Sequence, residues 1–382
     1  MSCVVFTGGG TGGHIFPGLA VAEVLKAKTD CTIYWIGGSK GVDKNIVESA
    51  TGIPELQFIA IPAGKLRRYF SLKNCIDIFK TAAGFIKSVF ILLKLKPQLV
   101  FSKGGFVSVP PCAAAALLKI PVITHECDFS PGLATRLNAK FASHILVSYN
   151  ETIRFLNKPA QKKAVCTGNP VRPAFYSADA EKGRTFIKAD GDKPILFVLG
   201  GSLGARQLNT LIFNSIEFLA EHFIVVHQVG EKNMEQVAEI SAKLKNSKTA
   251  KAVPSVCDNY KPYAFIKAEM PDVLKAATIV VSRAGANTVW ESAAAGKPMI
   301  LIPLEKGSSR GDQIENAEFF KVHGAAEVLK GDELTPAYFE KTVKEFLDNP
   351  EKLKKSAEAS FTLAKKKPAY NIADFLIQFL SK

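Results

Sequence analysis

Two strand–glycine–helix openings constrain the fold of this chain more than any other feature. The first is the apolar run Val4-Val5-Phe6, followed by a glycine-rich loop over 8–13 and a stretch with helical apolar spacing. The second is the run 195–199, followed by the glycine loop 200–204 and another helical stretch. Further short apolar runs alternate with helical patterns, and this alternation predicts right-handed crossovers and parallel sheets. We therefore expect an α/β protein with two doubly wound, Rossmann-like domains facing a central cleft, where ligands bind.

The chain length is consistent with two such domains. With 382 residues, each domain can bury a core of its own. We expect an N-terminal domain over 1–168 and a C-terminal domain over 169–362. The tail over 363–382 carries apolar residues at helical spacing. Periodicity leaves open whether this last helix packs on its own domain or returns to the first.

Charge narrows the class of partner. Lysine and arginine number 49 against 35 aspartates and glutamates, a net charge of +14. Such a surplus favours polyanions: nucleic acid, phosphorylated ligands or an anionic membrane surface. The sequence has no recognised nucleic-acid-binding motif and no compact basic stripe, so we expect no nucleic-acid partner.

Cysteine usage and hydropathy indicate the compartment. The seven cysteines are scattered, odd in number and without a Cys-x-x-Cys pair, which predicts reduced thiols and a cytosolic protein. The first residues lack the basic and apolar regions of a signal peptide. The longest uncharged apolar stretch, 104–118, is shorter than the ~20 residues of a spanning helix. We therefore expect any membrane contact to be peripheral.

A basic and aromatic segment precedes an apolar helix in the predicted N-terminal domain. The helix is rich in phenylalanine and isoleucine, as in 89–93. One interpretation is a solvated basic loop beside a core helix. The other is a patch that docks on an anionic bilayer. The residues of this predicted membrane patch are Lys65, Arg67, Arg68, Phe70 and Lys73.

The first glycine loop matches the dinucleotide fingerprint only in form. A nicotinamide or flavin site also needs an acidic residue at the end of the second strand to bind the ribose, and this chain has Gly37-Gly38 there. A P-loop needs lysine after its last glycine, where this chain has His14. With both nucleotide-binding motifs excluded, the remaining inference is that the backbone N–H groups at this helix start favour the binding of an anion. Two interpretations of His14 stay open: it lies at the mouth of this anion site, or it only fixes the turn.

The second glycine loop contains Gly-x-Ser-x-Gly, the nucleophile motif of α/β-hydrolases. The candidates for nucleophile, acid and base are Ser202, Asp272 or Asp312, and His323. A hydrolase of that fold leaves the complete first glycine-loop domain unexplained. We therefore regard the hydrolase as the weaker alternative.

A different motif, Asp190-Gly191-Asp192, resembles the metal-binding Asp-x-Asp of some sugar-nucleotide enzymes. It lies in a polar stretch before a strand rather than after one, which is typical of a turn. We therefore expect no metal site there.

A further helix start follows a predicted strand over 283–291. Thr288 and Glu291 have the spacing of a capping box, in which Glu291 serves only the N–H groups of its own helix. The alternative is that the helix start faces a diphosphate while Glu291 accepts hydrogen bonds from ribose hydroxyls. The spacing alone favours the capping interpretation.

Six separated motifs, in order along nearly the whole chain, together resemble the MurG family of glycosyltransferases. They are FTGGGTGGHIFPGLA at 6–20, GGFVS at 104–108, His125-Glu126, GNPVR at 168–172, GSLGAR at 201–206, and RAGANTVWE at 283–291 with Asp312-Gln313 and Asn316-Ala317. That family transfers N-acetylglucosamine from UDP-N-acetylglucosamine to lipid I in bacterial peptidoglycan synthesis. The resemblance implies a GT-B arrangement of two Rossmann-like domains, inverting stereochemistry, no cofactor and no obligatory bound metal.

The resemblance also implies partners and a location. The donor is UDP-N-acetylglucosamine, and the acceptor is lipid I, an undecaprenyl-pyrophosphoryl-muramoyl-peptide. The enzyme is expected on the cytoplasmic face of the inner membrane, bound peripherally to its anionic surface. Donor motifs are shared more widely than acceptor motifs. Another GT-B enzyme with a lipid acceptor, such as a diacylglycerol glycosyltransferase, therefore stays open.

Individual residues receive roles from the same resemblance. His14 and Glu126 are the candidates for activating the acceptor hydroxyl, while Glu291 is implied at the ribose and Ile266 at the uracil. The family usually continues its His-Glu motif with Gln-Asn, whereas this chain has a carboxylate at Asp128. The residues implied for binding the donor and the diphosphates are Thr11, Gly12, Gly13, Asp128, Arg172, Ser202, Ile266, Ala286, Asn287, Thr288, Val289, Trp290, Glu291 and Gln313.

Overall fold

The computed structural model describes residues 2–50, 52–53, 55–64, 72–200, 205–252, 254–304 and 311–380, with the backbone alone at 72–76, 248, 252 and 254–255. The chain divides into two compact units, Met1–Pro173 with Lys366–Lys382, and Ala174–Lys365. The first unit therefore continues a few residues beyond the boundary expected after residue 168, and it contains the GNPVR motif.

Among the described residues, the first unit contains a seven-stranded parallel sheet. Its strands are β1 (Cys3–Thr7), β2 (Thr32–Gly38), β3 (Gln57–Ile61), β4 (Leu99–Ser102), β5 (Val122–Glu126), β6 (His144–Val147) and β7 (Ala164–Cys166). Its helices before residue 173 are α1 (Gly12–Lys28), α2 (Asp43–Glu48), α3 (Leu72–Leu95), α4 (Val109–Leu117), α5 (Leu133–Phe141) and α6 (Lys158–Gln161). The strand order is β3-β2-β1-β4-β5-β6-β7. The switch point between β1 and β4 is where ligands bind in such folds.

The centre of this sheet is buried on both faces. β1 and β4 consist of buried residues throughout, as expected of parallel strands covered by helices on both sides. The Phe6 ring lies 6.0 Å from that of Trp35 and 5.3 Å from that of Phe101, centroid to centroid. Trp35 also donates its indole N–H to the carbonyl of Gly8 at 3.1 Å. The core therefore supports the first glycine loop directly.

The second unit contains a six-stranded parallel sheet within its described residues. Its strands are β8 (Ile195–Leu199), β9 (Ile224–Gln228), β10 (Tyr260–Tyr263), β11 (Ile279–Ser282), β12 (Met299–Leu301) and β13 (Ala326–Val328). Its helices are α7 (Ala180–Phe186), α8 (Arg206–Asn214), α9 (Ile216–His222), α10 (Met234–Lys245), α11 (Lys248–Ala252), α12 (Met270–Ala276), α13 (Ala286–Ala294), α14 (Asp312–Val322), α15 (Pro336–Leu347) and α16 (Pro350–Ala364). The order β10-β9-β8-β11-β12-β13 is that of a doubly wound sheet. The α/β class predicted from the sequence is confirmed.

The last helix, α17 (Pro368–Ile377), belongs to the first unit and packs against α1. Its apolar face, including Ile372 and Leu376, is fully buried. Asp374 accepts a hydrogen bond from Lys28 of α1 at 2.5 Å. The last helix therefore returns to the first unit, which the periodicity of the sequence had left open.

Helix α3 carries an apolar face that is exposed to solvent. Phe79 is 76% exposed and Phe90 is 68% exposed, and Ile86 and Leu93 are also exposed. These four residues, named here the α3 apolar face, are separated by seven, four and three positions and so lie on one side of the helix. In the described ranges, no helix is both long enough and apolar enough to cross a membrane.

Candidate active site

The candidate acceptor site lies at the carboxyl ends of β1, β4 and β5 in the first unit. The glycine loop after β1 turns at Gly10, whose φ of +88° is a conformation that favours glycine. The next residues, Thr11, Gly12 and Gly13, lead into α1, and Thr11 and Gly13 are exposed. The first turn of α1 carries no acidic residue. The N–H groups of this helix start therefore present partial positive charge to an incoming phosphate.

His14, the third residue of α1, is oriented by the loop after β4. Its Nδ1 lies 3.2 Å from the carbonyl oxygen of Lys103. Because a carbonyl only accepts, Nδ1 carries the proton, and the basic lone pair is on Nε2. Gly105 leaves room for the ring, since a Cβ there would lie 3.0 Å from the His14 Cδ2. His14 is thus held in the tautomer that can accept a proton.

Glu126, the other candidate base, is engaged in holding the loop after β5. It is only 5% exposed. Its Oε1 accepts the N–H groups of Cys127 and Asp128 at 2.9 and 3.0 Å, and its Oε2 accepts the N–H of Gly132 at 3.0 Å. The geometry gives Glu126 a structural task and places Asp128 in the loop that it holds.

A buried ammonium group, which the sequence did not reveal, lies beside this loop. Lys103 is 1% exposed, and its Nζ lies 2.5 Å from His125 Nδ1 and 2.9 Å from Cys127 Sγ. His125 donates its other ring N–H to the carbonyl of Gly168 at 2.9 Å. Burial, and secondly the charge of Lys103, lower the pKa of His125 well below its ordinary range. His125 is therefore neutral and accepts from Lys103.

Arg172, expected among the donor-binding residues, lies in the first unit. Its guanidinium carbon is 5.3 Å from the centroid of the Phe16 ring on α1. Burial raises the pKa of Glu23, also on α1, and the charge of Arg172 opposes that rise. Arg172 is thus positioned by the same helix whose start carries His14.

In the second unit, the structure shows that the capping interpretation of Glu291 is wrong. Helix α13 begins at Ala286, two residues before Thr288, so Glu291 lies beyond the first turn. The residue before the helix is Gly285, which has no side chain with which to cap it. Glu291 itself is half-buried. A carboxylate in the second turn does not serve the N–H groups of the helix start.

Not every residue implied on α13 presents its side chain to a ligand. Val289 is fully buried, and Trp290 is 3% exposed. The indole of Trp290 packs against Phe320 with centroids 5.3 Å apart. Both side chains therefore serve the core, while Asn287 and Thr288 are half-buried near the helix start.

Two more of the implied donor residues are fixed by neighbours. The N–H of Ile266 donates to Oε1 of Gln228 at 2.9 Å, and the Ile266 side chain is buried. Gln313, near the start of α14, accepts the N–H of Leu304 at 3.1 Å. Gln228, at the end of β9, was not singled out from the sequence because its contact depends on how β9 and the 264–268 segment meet.

The hydrolase alternative depended on Ser202, which lies outside the described residues. In a parallel α/β sheet, a helix that begins beyond the carboxyl end of one strand ends near the amino end of the next. His323 follows the C-terminus of α14, next to the start of β13. Ligands bind at the carboxyl ends of the strands in such sheets, so the position of His323 does not favour a catalytic role.

The Asp-x-Asp motif does not form a metal site. Asp190 and Asp192 lie exposed in a turn before β8. Among the described residues, no cluster of three or more metal-ligating side chains occurs.

Several predicted residues lie outside the described part of the chain. The predicted residues outside the described ranges are Ser202, Lys65, Arg67, Arg68 and Phe70, and only the backbone of Lys73 is described.

Two family models match this chain. Residues 4–147 match the N-terminal domain of glycosyltransferase family 28, and residues 195–375 match its C-terminal domain. The chain belongs to glycosyltransferase family 28. This family 28 chain is therefore a glycosyltransferase, and each match covers strands of one of the two parallel sheets.

Full-length relatives show which group within family 28 this chain belongs to. A Treponema denticola protein named UDP-N-acetylglucosamine--N-acetylmuramyl-(pentapeptide) pyrophosphoryl-undecaprenol N-acetylglucosamine transferase is 64% identical over 390 residues, 100% of this chain and 98% of the relative. A Clostridium tetani relative of the same name is 37% identical over 357 residues, 94% of this chain and 93% of the relative. The crystal structure of Acinetobacter baumannii MurG shares the fold, with a TM-score of 0.73 at 24% identity, covering 99% of this chain and 100% of that one. The predicted membership of the MurG family is confirmed.

Proposed function

We propose that this family 28 enzyme transfers N-acetylglucosamine from UDP-N-acetylglucosamine to the C4 hydroxyl of the muramoyl sugar of lipid I. The full-length similarity to the Treponema and Clostridium relatives named for that transfer carries the proposal. The product is lipid II, and the step belongs to peptidoglycan synthesis, on which cell-wall growth, cell shape and cell division depend.

His14 is the group that we assign to the acceptor hydroxyl. Its Nδ1 donates to the carbonyl oxygen of Lys103, so Nε2 accepts the C4 proton as the oxygen attacks the anomeric carbon of the donor. UDP leaves in the same step, without a covalent enzyme intermediate, and the anomeric configuration inverts. General-base help of this kind contributes about 10²–10⁴-fold to the rate. The contacts of Glu126 with three backbone N–H groups favour His14 over Glu126 for this task.

The second unit holds the donor in this proposal. The start of α13 faces the diphosphate of UDP, where its unsatisfied N–H groups stabilise negative charge. Glu291 accepts hydrogen bonds from the ribose hydroxyls, and Ile266 lies at the uracil. Asn287, Thr288, Gln313 and Ser202 complete the set. Donors aimed at a departing diphosphate supply about 10²–10³-fold, so the mechanism assigns this role to protein groups rather than to a metal ion.

The first unit binds the diphosphate of the acceptor in this proposal. Thr11, Gly12 and Gly13 bring the N–H groups at the start of α1 to the pyrophosphate of lipid I. Arg172, which the family resemblance implies for the donor, adds a positive charge beside Phe16 of the same helix. Asp128 lies in the loop after β5 and, being a carboxylate, accepts rather than donates to sugar hydroxyls.

The α3 apolar face supports peripheral docking on an anionic membrane. Lys80, Lys87 and Lys94 are exposed and recur every seven residues, each directly after or near a residue of that face. An exposed apolar stripe bordered by lysines is the pattern of a helix that lies in the headgroup region of an anionic bilayer. The predicted patch that includes Arg67 and Arg68 immediately precedes this helix in sequence. We place this surface on the cytoplasmic face of the inner membrane, where lipid I is reached.

Acceptor choice tests the proposed function. Radiolabelled UDP-N-acetylglucosamine is incubated with the enzyme and either a lipid I analogue or diacylglycerol, in the same detergent. We expect label in the lipid I analogue and none above background in diacylglycerol. Transfer to diacylglycerol, or no transfer to the lipid I analogue, would favour the other GT-B class.

A further inference from the structure

We propose that Asp43 is a positioning residue that sets the shape of the acceptor loop 8–13; this inference rests on the proposed function for the meaning of that loop. Asp43 is the first residue of α2, far from the loop in sequence, and nothing in the motif pattern marks it. Its side chain is fully buried. The two oxygens of its carboxylate bind two different segments of backbone.

The two hydrogen bonds join the glycine loop to the end of β2. Oδ1 accepts the N–H of Gly10 at 2.8 Å, and Oδ2 accepts the N–H of Gly38 at 2.9 Å. Gly10 is the residue at which the loop turns with positive φ, and it also packs against Phe106, since a Cβ on it would lie 2.6 Å from the Phe106 Cε1. The turn is therefore held between a carboxylate and an aromatic ring.

The glycines around Asp43 make room for this contact. A Cβ at Gly9 would overlap the Asp43 carboxylate, and one at Gly38 would lie 3.1 Å from Oδ2. The glycine at position 38 thus has a physical reason that the dinucleotide comparison did not supply. Where dinucleotide folds use an acid after β2 to bind a ribose, the nearby acid here is turned inward onto the loop.

The electrostatics indicate that the carboxylate is retained for geometry. A buried carboxylate without a cation is costly unless hydrogen bonds satisfy it. Among the described residues, no lysine or arginine forms an ion pair with Asp43. Its negative charge lies behind a loop that is to receive a pyrophosphate, which is unfavourable for anion binding. This unfavourable charge is offset by geometry, because the side chain supplies two oxygens at a fixed separation, each of which accepts a backbone N–H.

The consequence for the reaction follows from the order of residues. Asp43 accepts the N–H of Gly10 and Trp35 donates to the carbonyl of Gly8, so both polar groups are already hydrogen-bonded within the protein. The chain then enters α1, whose first residues bind the acceptor diphosphate and whose third residue is His14. A shift of the turn would therefore move the diphosphate site and the proposed base together.

Asparagine at this position provides the sharpest variant. Asp43→Asn keeps the volume and removes the charge, but its NH₂ group faces one of the two backbone N–H donors. Asp77→Asn is the matched control, because Asp77 is a buried acid of the same unit, 6% exposed, that binds Lys80 instead of the loop. Both variants are assayed with a soluble lipid I analogue, so that membrane docking does not enter.

We expect Asp43→Asn to lower kcat/KM for the acceptor by about 10²-fold, the effect of a displacement near 1 Å in a catalytic group. The affinity for UDP, measured by calorimetry, should match that of the wild type, and Asp77→Asn should stay near wild type in both. If the charge of Asp43 mattered only as a repulsion, Asp43→Asn would bind the acceptor more tightly. That result, or equal losses for donor and acceptor, would overturn the proposal.

A second measurement does not depend on the variant or on activity. In wild-type protein labelled with ¹⁵N-glycine, the Gly10 and Gly38 amides should exchange with solvent slowly, because both are bound to a buried carboxylate. Rapid exchange at Gly10 would contradict the proposed anchor even if transfer activity is normal. Conversely, a wild-type enzyme without transferase activity but with a protected Gly10 would contradict the proposed function and leave the anchor intact.

Discussion

The Nδ1 of His14 and the carbonyl oxygen of Lys103 lie 3.2 Å apart, and this bond decides which nitrogen of the imidazole is basic. The same Lys103 reaches His125 through its buried ammonium. The loop after β4 therefore connects the proposed base to the loop after β5.

His14→Ala should lower kcat for transfer by about 10²–10⁴-fold, the contribution of a general base. UDP affinity measured by calorimetry should stay at the wild-type value, because His14 lies in the first unit. His323→Ala is the matched control, since His323 is exposed directly after α14. Near-normal turnover of His14→Ala, or a loss in His323→Ala, would contradict the assignment.

Glu126→Gln should reduce stability more than it reduces chemistry. The substitution leaves an amide NH₂ facing backbone N–H groups that the carboxylate now satisfies. We expect a loss of about 1–3 kcal/mol in the free energy of unfolding, measured by denaturant titration. A variant with unchanged stability and a kcat as low as that of His14→Ala would make Glu126 the base instead.

Glu291→Ala should raise the KM for the donor with little change in stability. Loss of hydrogen bonds to a charged group costs about 1.5–3 kcal/mol, which corresponds to roughly 10–100-fold in affinity. The start of α13 should keep its stability because Glu291 lies beyond the first turn of that helix. Glu358→Ala, on the exposed surface of α16, is the control. An unchanged donor KM with lower thermal stability would return Glu291 to a structural role.

Acid should destabilise the second unit through His227. Burial lowers the pKa of His227 from 6.5 to about 3. The unfolded chain therefore binds a proton at His227 between these pH values while the native state does not, so stability is complete above pH 6.5 and falls as the pH drops towards 3. The slope from one such residue is at most about 1.4 kcal/mol per pH unit. Denaturant titrations across this range should show a smaller slope for His227→Gln, and an identical slope would refute the prediction.

Replacing Lys80, Lys87 and Lys94 by glutamate should reduce sedimentation with anionic liposomes and leave transfer to a soluble acceptor analogue unchanged. The physical reason is that each lysine near an anionic surface contributes about 1 kcal/mol of attraction. The same change at Lys341, Lys344 and Lys354, which are exposed in the second unit, controls for net charge. If both triple variants bind liposomes alike, the α3 apolar face is not the docking surface.

The sequence predicted those parts of the fold and site that depend on local pattern. The loop before His14 and the start of α13 each follow a buried strand, and that order is readable from apolar runs and glycines. The family resemblance supplied the reaction. It also implied Val289 and Trp290 as ligand contacts, but a motif does not separate side chains that bind from side chains that pack. The helix start at Ala286 turns both into the core.

Other parts of the site could not be predicted because they depend on contacts between distant segments. Asp43 and Gly10 are 33 residues apart, and Lys103 and Cys127 are 24 apart. Each pair meets only through the register of neighbouring strands. A single lysine or aspartate in a loop is normally read as solvated, so the burial of Lys103 and Asp43 carries information that appears only in the folded chain.

The configuration of the product tests the account most directly. The enzyme is supplied with UDP-N-acetylglucosamine, in which the sugar is α-linked, and a soluble lipid I analogue, and the new glycosidic bond is examined by NMR. A single displacement with His14 as base predicts a β-linked N-acetylglucosamine on the C4 oxygen of the muramoyl sugar. An α-linked product, a bond to another hydroxyl, or no product from an enzyme that binds UDP would contradict it.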